Sequence, residues 1–301
     1  MLPTRLITEQ KELEKFMDYF KSKPLLSKYL RFYHAIKLDL ENKLPFAKFQ
    51  LYVKDTENAK YFYGIYIDEF YKNGRGGYAT LECEGEFDSD EFLIGFREAF
   101  PNTNLIGLIV ATKKFTDPLI DFINDSGREY GPISYIMPCC DYYMNKEKEI
   151  EILDHDPTEL LEEQGYELST ADPDKDAEFI HKAWVYADPT HVEQTAAKLR
   201  YLPNVCIRKD GVPVSYILLH LYGKFCHQFT ALEHRGKGLS TICEKELMKR
   251  MIRFGLYPLK EVAHKLTEVN RWSKSSEFWS ISKEDDGSES TLIYLSLGRK
   301  I

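Results

Sequence analysis

The sequence predicts a mixed α+β fold in which mostly antiparallel sheets are flanked by helices. Aromatic or alternating runs separated by turn residues indicate strands, and apolar residues at helical spacing indicate amphipathic helices. Both kinds of segment are interspersed along the 301 residues. Because a chain of this length exceeds the usual size of one hydrophobic core, we expect two domains.

The first half is predicted to contain an antiparallel meander and packed helices. Residues 9–21 carry one apolar helical stripe, and Ser89 is the expected cap of a later helix that precedes a buried strand at 105–111. The Gly-rich segment Asn73 to Gly77 favours a hairpin turn, since no helix follows it. The three strands of the meander are expected at 49–53, 61–67 and 78–83.

A strongly acidic stretch between residues 141 and 164 is the expected linker. We therefore divide the chain into an N-terminal domain, residues 1–150, and a C-terminal domain, residues 160–301. In the second domain, Lys209-Asp210-Gly211 favours a hairpin. Its strands are expected at 166–169, 205–208, 214–221, 225–232, 259–263 and 291–297, and its helices at 172–186, 192–200, 239–254 and 270–281.

Composition limits the classes of partner. With 48 acidic and 40 basic residues, the formal charge of -8 predicts no general attraction to nucleic acid or to an anionic membrane. The six cysteines are sparse and show no paired CxxC spacing, which favours a reducing compartment over a disulfide framework. Without a signal peptide or a membrane-spanning apolar run, we expect an intracellular protein, cytoplasmic or mitochondrial.

The stretch Leu232 to Ser240 is the strongest functional signal, because it follows an apolar strand and opens an amphipathic helix. Unpaired N–H groups at a helix start favour an anion, and glycines at 236 and 238 allow close approach of a phosphate. Arg235 and Lys237 add positive charge. A short Arg-Gly-Lys-Gly segment alone is more often a solvated turn, but its position between strand and helix favours a phosphate site.

This segment resembles the acyl-CoA-binding motif of GCN5-related N-acetyltransferases (GNAT), in the run Glu233-His-Arg-Gly-Lys-Gly-Leu. Lys182-Ala-Trp184, residues 203–213 and Phe254-Gly-Leu-Tyr-Pro258 are similar to the C-terminal half of glycine N-acyltransferases. The resemblance covers roughly residues 165–281. It implies two GNAT-like domains, of which the N-terminal one is degenerate and the C-terminal one carries the acyl-CoA motif.

The resemblance implies an enzyme that moves an acyl group from coenzyme A to the amine of glycine or a related small amino acid. The acyl-CoA is a substrate, and no metal is expected. The oligomeric state is left open. The residues expected to bind the cofactor are Leu232, Arg235, Gly236, Lys237, Gly238, Leu239, Ser240 and Asn270.

Direct attack on the thioester requires a neutral amine and therefore a general base. The resemblance implies that Glu233 is this base, although a glutamate here could instead only favour the helix start electrostatically. A backbone N–H at Ala231 or Leu232 is the candidate for polarising the thioester carbonyl. Near Asn270 the wider superfamily often carries a tyrosine that protonates the thiolate, and its absence leaves the leaving-group acid unassigned.

Other interpretations of the same residues remain open. Cys226 and Cys243, with His227 and His234 nearby, could suggest a Cys/His nucleophile, but ordinary packing is favoured because no third orienting residue is evident. Trp184 is expected on a packed helix face. The alternative functions are a GNAT-type acetyltransferase of proteins or polyamines, and a non-catalytic protein that binds coenzyme A or a partner.

Overall fold

The computed structural model describes residues 3–23, 26–70, 76–101, 105–126, 130–184 and 191–298. Its elements confirm the mixed α+β class. Up to residue 144 they are β1 (Arg5–Ile7), α1 (Gln10–Lys21), α2 (Leu26–Leu40), β2 (Ala47–Asp55), β3 (Ala59–Asp68), β4 (Gly77–Gly85), α3 (Ser89–Ala99), β5 (Ile106–Thr112), α4 (Lys113–Asp125) and β6 (Ile133–Met144). Beyond it they are α5 (Glu149–Asp154), α6 (Thr158–Glu163), β7 (Glu167–Ser169), α7 (Ala177–Ala183), α8 (Val192–Tyr201), β8 (Asn204–Lys209), β9 (Val212–Leu219), β10 (Phe225–Thr230), α9 (Leu239–Arg253), β11 (Leu259–Ala263), α10 (Thr267–Ser275), β12 (Trp279–Ile281) and β13 (Thr291–Leu297).

The strands form two sheets. The larger has the order β1-β2-β3-β4-β5-β13-β6-β11, with β12 paired to β6, and the smaller has the order β10-β9-β8-β7. The predicted meander is confirmed, because β2, β3 and β4 pair antiparallel in chain order. Residues 73–75 of its predicted turn lie outside the described residues. Strands β4 and β5 are parallel, as the crossover through α3 requires.

The chain forms two compact units. Unit 1 contains the residues up to Asp141, Val262–Ser273 and those from Ile281 onward, and unit 2 contains Tyr142–Glu261 and Lys274–Ser280. The sequence assigns all of 160–301 to the C-terminal domain, whereas β13 lies in unit 1 because it pairs with β5 and β6. Leu295 and Leu297 of β13 are buried in the core of that unit. This pairing joins segments far apart in sequence, so local patterns could not predict it.

Several local predictions differ from the structure. Asp88, not Ser89, caps α3, because its carboxylate accepts hydrogen bonds from the N–H groups of Asp90 and Glu91. The acidic stretch 141–164 is folded, since it contains the end of β6 and the helices α5 and α6. The helices predicted at 172–186 and 270–281 are replaced by the shorter α7 and α10, and residues 185–186 lie outside the described part.

Helix α9 is held in unit 2 by its predicted apolar face and by a buried ion pair. The carboxylate of Glu244 accepts hydrogen bonds from Lys260 Nζ and from the indole N–H of Trp279, each at 3.0 Å. The side chains of Glu244 and Lys260 are 3% and 4% exposed. Burial lowers the pKa of Lys260, while the Glu244 carboxylate opposes that shift. The apolar side chains that α9 buries on this face are Leu239, Ile242, Cys243, Leu247 and Met251.

Lys260→Met should reduce the free energy of unfolding by about 3–5 kcal/mol, because it leaves the Glu244 carboxylate buried without its cation. Adding Glu244→Gln should restore part of this loss. Denaturant unfolding of the single and double variants measures both effects. Lys182→Met, which removes an exposed partner of Glu178, is the control and should change little. Equal losses in the single and double variants would contradict this account.

Candidate active site at the start of helix α9

Strand β10 leads into the predicted phosphate turn and contains an irregularity. Cys226 pairs with Leu218 and Phe229 pairs with Tyr216, so β10 has an extra residue between these pairs. Such a β-bulge redirects side chains and is frequent beside active sites. His227 lies in the bulge with a φ of 51°, in the left-handed region that non-glycine residues seldom adopt.

The chain leaves β10 through a tight turn and enters α9. The N–H of Ala231 donates to the carbonyl of Val214 at 2.8 Å, and the 3-10 turn Leu232–His234 follows. Gly236 and Gly238 then adopt φ values of 75° and 78°, a conformation that suits glycine because it has no Cβ. Gly238 immediately precedes the first turn of α9.

The backbone N–H groups of residues 236–241 have no acceptor among the described residues. Beyond them, the N–H of Ile242 bonds to the carbonyl of Gly238 at 3.1 Å. Unpaired N–H groups and the helix dipole together favour an anion at a helix start. This arrangement suits a phosphate or pyrophosphate group, which the main chain alone could bind.

The cationic side chains of the turn also bond to neighbouring protein groups. Arg235 Nε donates to the carbonyl of Thr230 at 3.0 Å, and Lys237 Nζ donates to the hydroxyl of Tyr166 at 3.1 Å. That hydroxyl also hydrogen-bonds to Nδ1 of His234 at 2.9 Å. Arg235 and Lys237 are exposed, so both supply positive charge at the surface of the turn.

The other predicted cofactor contacts in the turn differ in exposure. Leu239 is buried, so only its backbone is available to a ligand, whereas Leu232 is 73% exposed. The Ser240 hydroxyl accepts a hydrogen bond from Gln228 Nε2 at 2.8 Å. Because Gln228 follows His227 in the bulge, this bond holds the bulge of β10 beside the first turn of α9.

Glu233 lies in the 3-10 turn, because β10 ends at Thr230 and does not extend to residue 232 as predicted. Its side chain is exposed and makes no hydrogen bond or ion pair with a described residue. The N–H of Ala231 cannot polarise a substrate carbonyl while it donates to Val214. The N–H of Leu232 has no acceptor within the described part of the chain, so its predicted role stays a prediction.

Asn270 belongs to unit 1 and lies within α10. Its amide nitrogen donates to the carbonyls of Ala263 at 2.9 Å and Leu266 at 3.2 Å. These bonds fasten the start of α10 to the end of β11. A role of Asn270 in cofactor binding stays a prediction.

His227 is a candidate functional residue that the sequence indicates only as a possible partner of Cys226. Its side chain is 8% exposed, and neither ring nitrogen has a hydrogen-bond partner among the described residues. The ring packs on Trp184, with 4.3 Å between the ring centroids. Burial, and then the nearby Lys198 and His181, lower the pKa of His227 well below its usual value, so its imidazole is neutral near pH 7.

The cysteines near the turn do not form a nucleophilic pair. Burial raises the pKa of Cys226 to about 11 and that of Cys243 to about 12, so both thiols stay protonated. The thiol of Cys243 contacts the hydroxyl of Ser215 at 3.5 Å inside the unit. Trp184 follows the end of α7 and is only half-buried, contrary to the expected packed helix face.

A separate polar cavity of about 790 Å³ lies in unit 2, lined by residues 170–175 together with Arg208 and Arg250. Arg208 pairs with Asp176, and Arg250 pairs with Glu246. The cavity shares no lining residue with the turn. N–H groups and an imidazole without hydrogen-bond partners among the described residues favour the turn and the bulge over the cavity as the candidate site.

Within the described ranges, no group of three or more His, Cys, Asp or Glu side chains is placed to hold a metal ion. No helix in the same ranges combines the length and apolar character needed to cross a membrane.

No protein-family model matches the chain, and no curated protein matches it. A solved protein from Drosophila is similar, with 13% identity over 97% of this chain and 98% of that chain and a TM-score of 0.70. Two more distant structures are a GNAT-family acetyltransferase from Colwellia psychrerythraea (11% identity, 99% and 100% of the two chains, TM-score 0.48) and a GCN5-related N-acetyltransferase from Kribbella flavida (13%, 87% and 94%, TM-score 0.49). The similarity to the Drosophila protein shows a shared fold over nearly the full length of both chains.

Gly238→Ala should weaken binding of coenzyme A about tenfold, because a Cβ at this left-handed φ shifts the N–H groups that begin α9. The backbone strain itself should cost about 1–2 kcal/mol of unfolding free energy. Calorimetric titration and thermal unfolding measure the two effects. Gly211→Ala is the matched control, because Gly211 also has a φ of 78° and open space around it. Equal affinities for coenzyme A in both variants would contradict the assignment.

Proposed function

We propose that the protein is an acyl-CoA-dependent N-acyltransferase whose acceptor is glycine or a related small amino acid. The observation that carries the proposal is the run of unpaired N–H groups at 236–241, at the start of a 15-residue helix. Coenzyme A carries a pyrophosphate, the kind of anion that such a run binds. The resemblance of residues 233–239 to the acyl-CoA motif supports the same cofactor. The residues assigned to cofactor binding at this turn are Leu232, Arg235, Gly236, Lys237, Gly238, Leu239 and Ser240, and the role of Asn270 stays a separate prediction.

Strand β10 supports a path for the rest of the cofactor. Among the described strands it is the terminal one in the order β10-β9-β8-β7, and the outer edge of a terminal strand can pair with an added extended chain. The pantetheine arm of coenzyme A is an extended chain with amide groups. With its phosphates at residues 236–241, an arm that follows β10 brings the thioester toward the bulge at His227.

The reaction needs a neutral amine, because an ammonium group has no lone pair. We assign the removal of the ammonium proton to Glu233, whose exposed carboxylate can act through water on an amine that arrives from solvent. The amine then attacks the thioester directly, without an acyl-enzyme. Protonated cysteines at 226 and 243 are consistent with this route.

The test follows release of free thiol from acetyl-CoA and longer acyl-CoAs, with and without a panel of amino acids. We expect acceptor-dependent release with glycine or another small amino acid. Thiol release that no amino acid stimulates, for any donor, would overturn the proposed function.

Glu233→Gln should lower turnover about 10²-fold at pH 7. Its activity should recover as the pH rises, because the amine then loses its proton in solution. Glu163→Gln, which changes another exposed glutamate of unit 2, should leave turnover unchanged at every pH. Turnover of Glu233→Gln equal to that of the unchanged protein would remove this residue as the base.

A further inference from the structure

We infer that His227 carries the second proton of the transfer, from the attacking amine to the departing coenzyme A thiolate. This inference rests on the proposed function, because it requires a thioester and an amine acceptor. The leaving-group acid is unassigned by the sequence, and His227 has two buried ring nitrogens with no hydrogen-bond partner among the described residues.

His227 lies close to the proposed path of the cofactor. His227 lies in the bulge of β10, the strand that leads into the phosphate turn. The next residue, Gln228, hydrogen-bonds the hydroxyl of Ser240 at 2.8 Å, inside the run of unpaired N–H groups. The bulge is therefore beside the first turn of α9, on the edge strand along which an extended cofactor arm would run.

The imidazole of His227 is buried without hydrogen bonds to the described residues. His227 is 8% exposed, and both ring nitrogens lack a hydrogen-bond partner among the described residues. Buried polar groups without partners are rare because they lose their hydration. The residue also has a left-handed φ of 51°. A side chain chosen only for packing would carry neither cost, and strained residues of this kind cluster at functional sites.

A neutral imidazole can both accept and donate a proton, because it has one acceptor nitrogen and one N–H donor. The amine lone pair forms the C–N bond while the thioester C=O electrons move to oxygen. The acceptor nitrogen of His227 then takes a proton from the new C–N ammonium. As the C=O bond re-forms, the C–S bond breaks, and the imidazolium returns that proton to the thiolate. The products are an amide and a thiol, and His227 ends neutral.

The surroundings favour both halves of this exchange. Burial is the main cause that lowers the pKa of His227, and the nearby Lys198 of α8 and His181 of α7 add to it, while His220, just after β9, also lies near the ring. Burial, Lys198 and His181 keep the ring neutral before the attack. They also make the imidazolium a strong acid, which favours rapid return of the proton to the thiolate. The ring of Trp184, tilted by 41° with its centroid 4.3 Å away, covers one side of the imidazole.

The test uses His227→Gly, because glycine accepts the left-handed φ and leaves a space that free imidazole can enter. With the donor and acceptor pair that the unchanged protein turns over best, kcat should fall about 10²-fold while KM for the acyl-CoA changes little. Added imidazole should restore activity about tenfold or more. Asp210→Gly is the matched control, because Asp210 also has a φ of 51° but lies in the hairpin between β8 and β9.

The outcomes separate this inference from the function on which it rests. An unchanged kcat in His227→Gly, or a loss that imidazole does not restore while the melting temperature equals that of Asp210→Gly, would overturn the role of His227 alone. A raised pH should restore Glu233→Gln but not His227→Gly, because the second proton leaves only after C–N bond formation. If the unchanged protein released no thiol to any acceptor, both the function and the inference would be overturned.

Discussion

The change of direction between β10 and α9 is the constraint on which the candidate site depends. Two left-handed glycines let the chain turn sharply into the helix, and the N–H groups of 236–241 meet no acceptor in the part of the protein that the structure describes. Burial of Leu239 and the ion pair of Glu244 with Lys260 fix the helix that follows. A helix start without acceptors is stable in water, but it is also a preorganised anion site, because its donors need no rearrangement to bind phosphate.

The bulge in β10 adds a second kind of group to the site. The turn offers donors to an anion, whereas His227 offers a neutral ring that can both accept and donate a proton. Glu233 and His227 differ in their access to water. Glu233 is exposed and can exchange protons with water, whereas His227 is buried and can pass a proton only to a group in contact with it. An acyl transfer to an ammonium must release two protons from nitrogen, which gives each residue a distinct step.

Local patterns predicted the elements that local interactions determine. The bounds of β11 and β13 match the predicted 259–263 and 291–297, and the predicted hairpin at Asp210 forms, with Asp210 and Gly211 in the left-handed region. Helix α2 was missed because nearly all of its described side chains are buried or half-buried, so it has no single apolar stripe. Helix α4 keeps an apolar stripe at Phe115, Leu119 and Ile123, but Pro118 within it is a residue that local propensity places outside helix interiors.

Other features depend on contacts that no local pattern contains. The pairing of β13 with β5 and β6 joins distant segments, and the sequence placed that strand in the other domain. The bulge at His227 arises from a shift in the pairing register of β9 and β10, which the sequence alone does not reveal. In the sequence, His227 is recognisable only as a histidine next to a cysteine. The turn itself is predictable, because its glycines and cationic residues, and its position between a strand and a helix, can be recognised in the sequence. Only the three-dimensional structure shows that its N–H groups have no acceptor among the described residues.

Coenzyme A is proposed to bind through the backbone at the start of α9. The most direct test is to titrate the isotopically labelled protein with coenzyme A and to measure the changes in the chemical shifts of its backbone amides. The account predicts the largest shifts at the N–H groups of residues 236–241, with smaller ones along β10. Shifts concentrated at residues 170–175, around the separate polar cavity, with none at the turn, would contradict it.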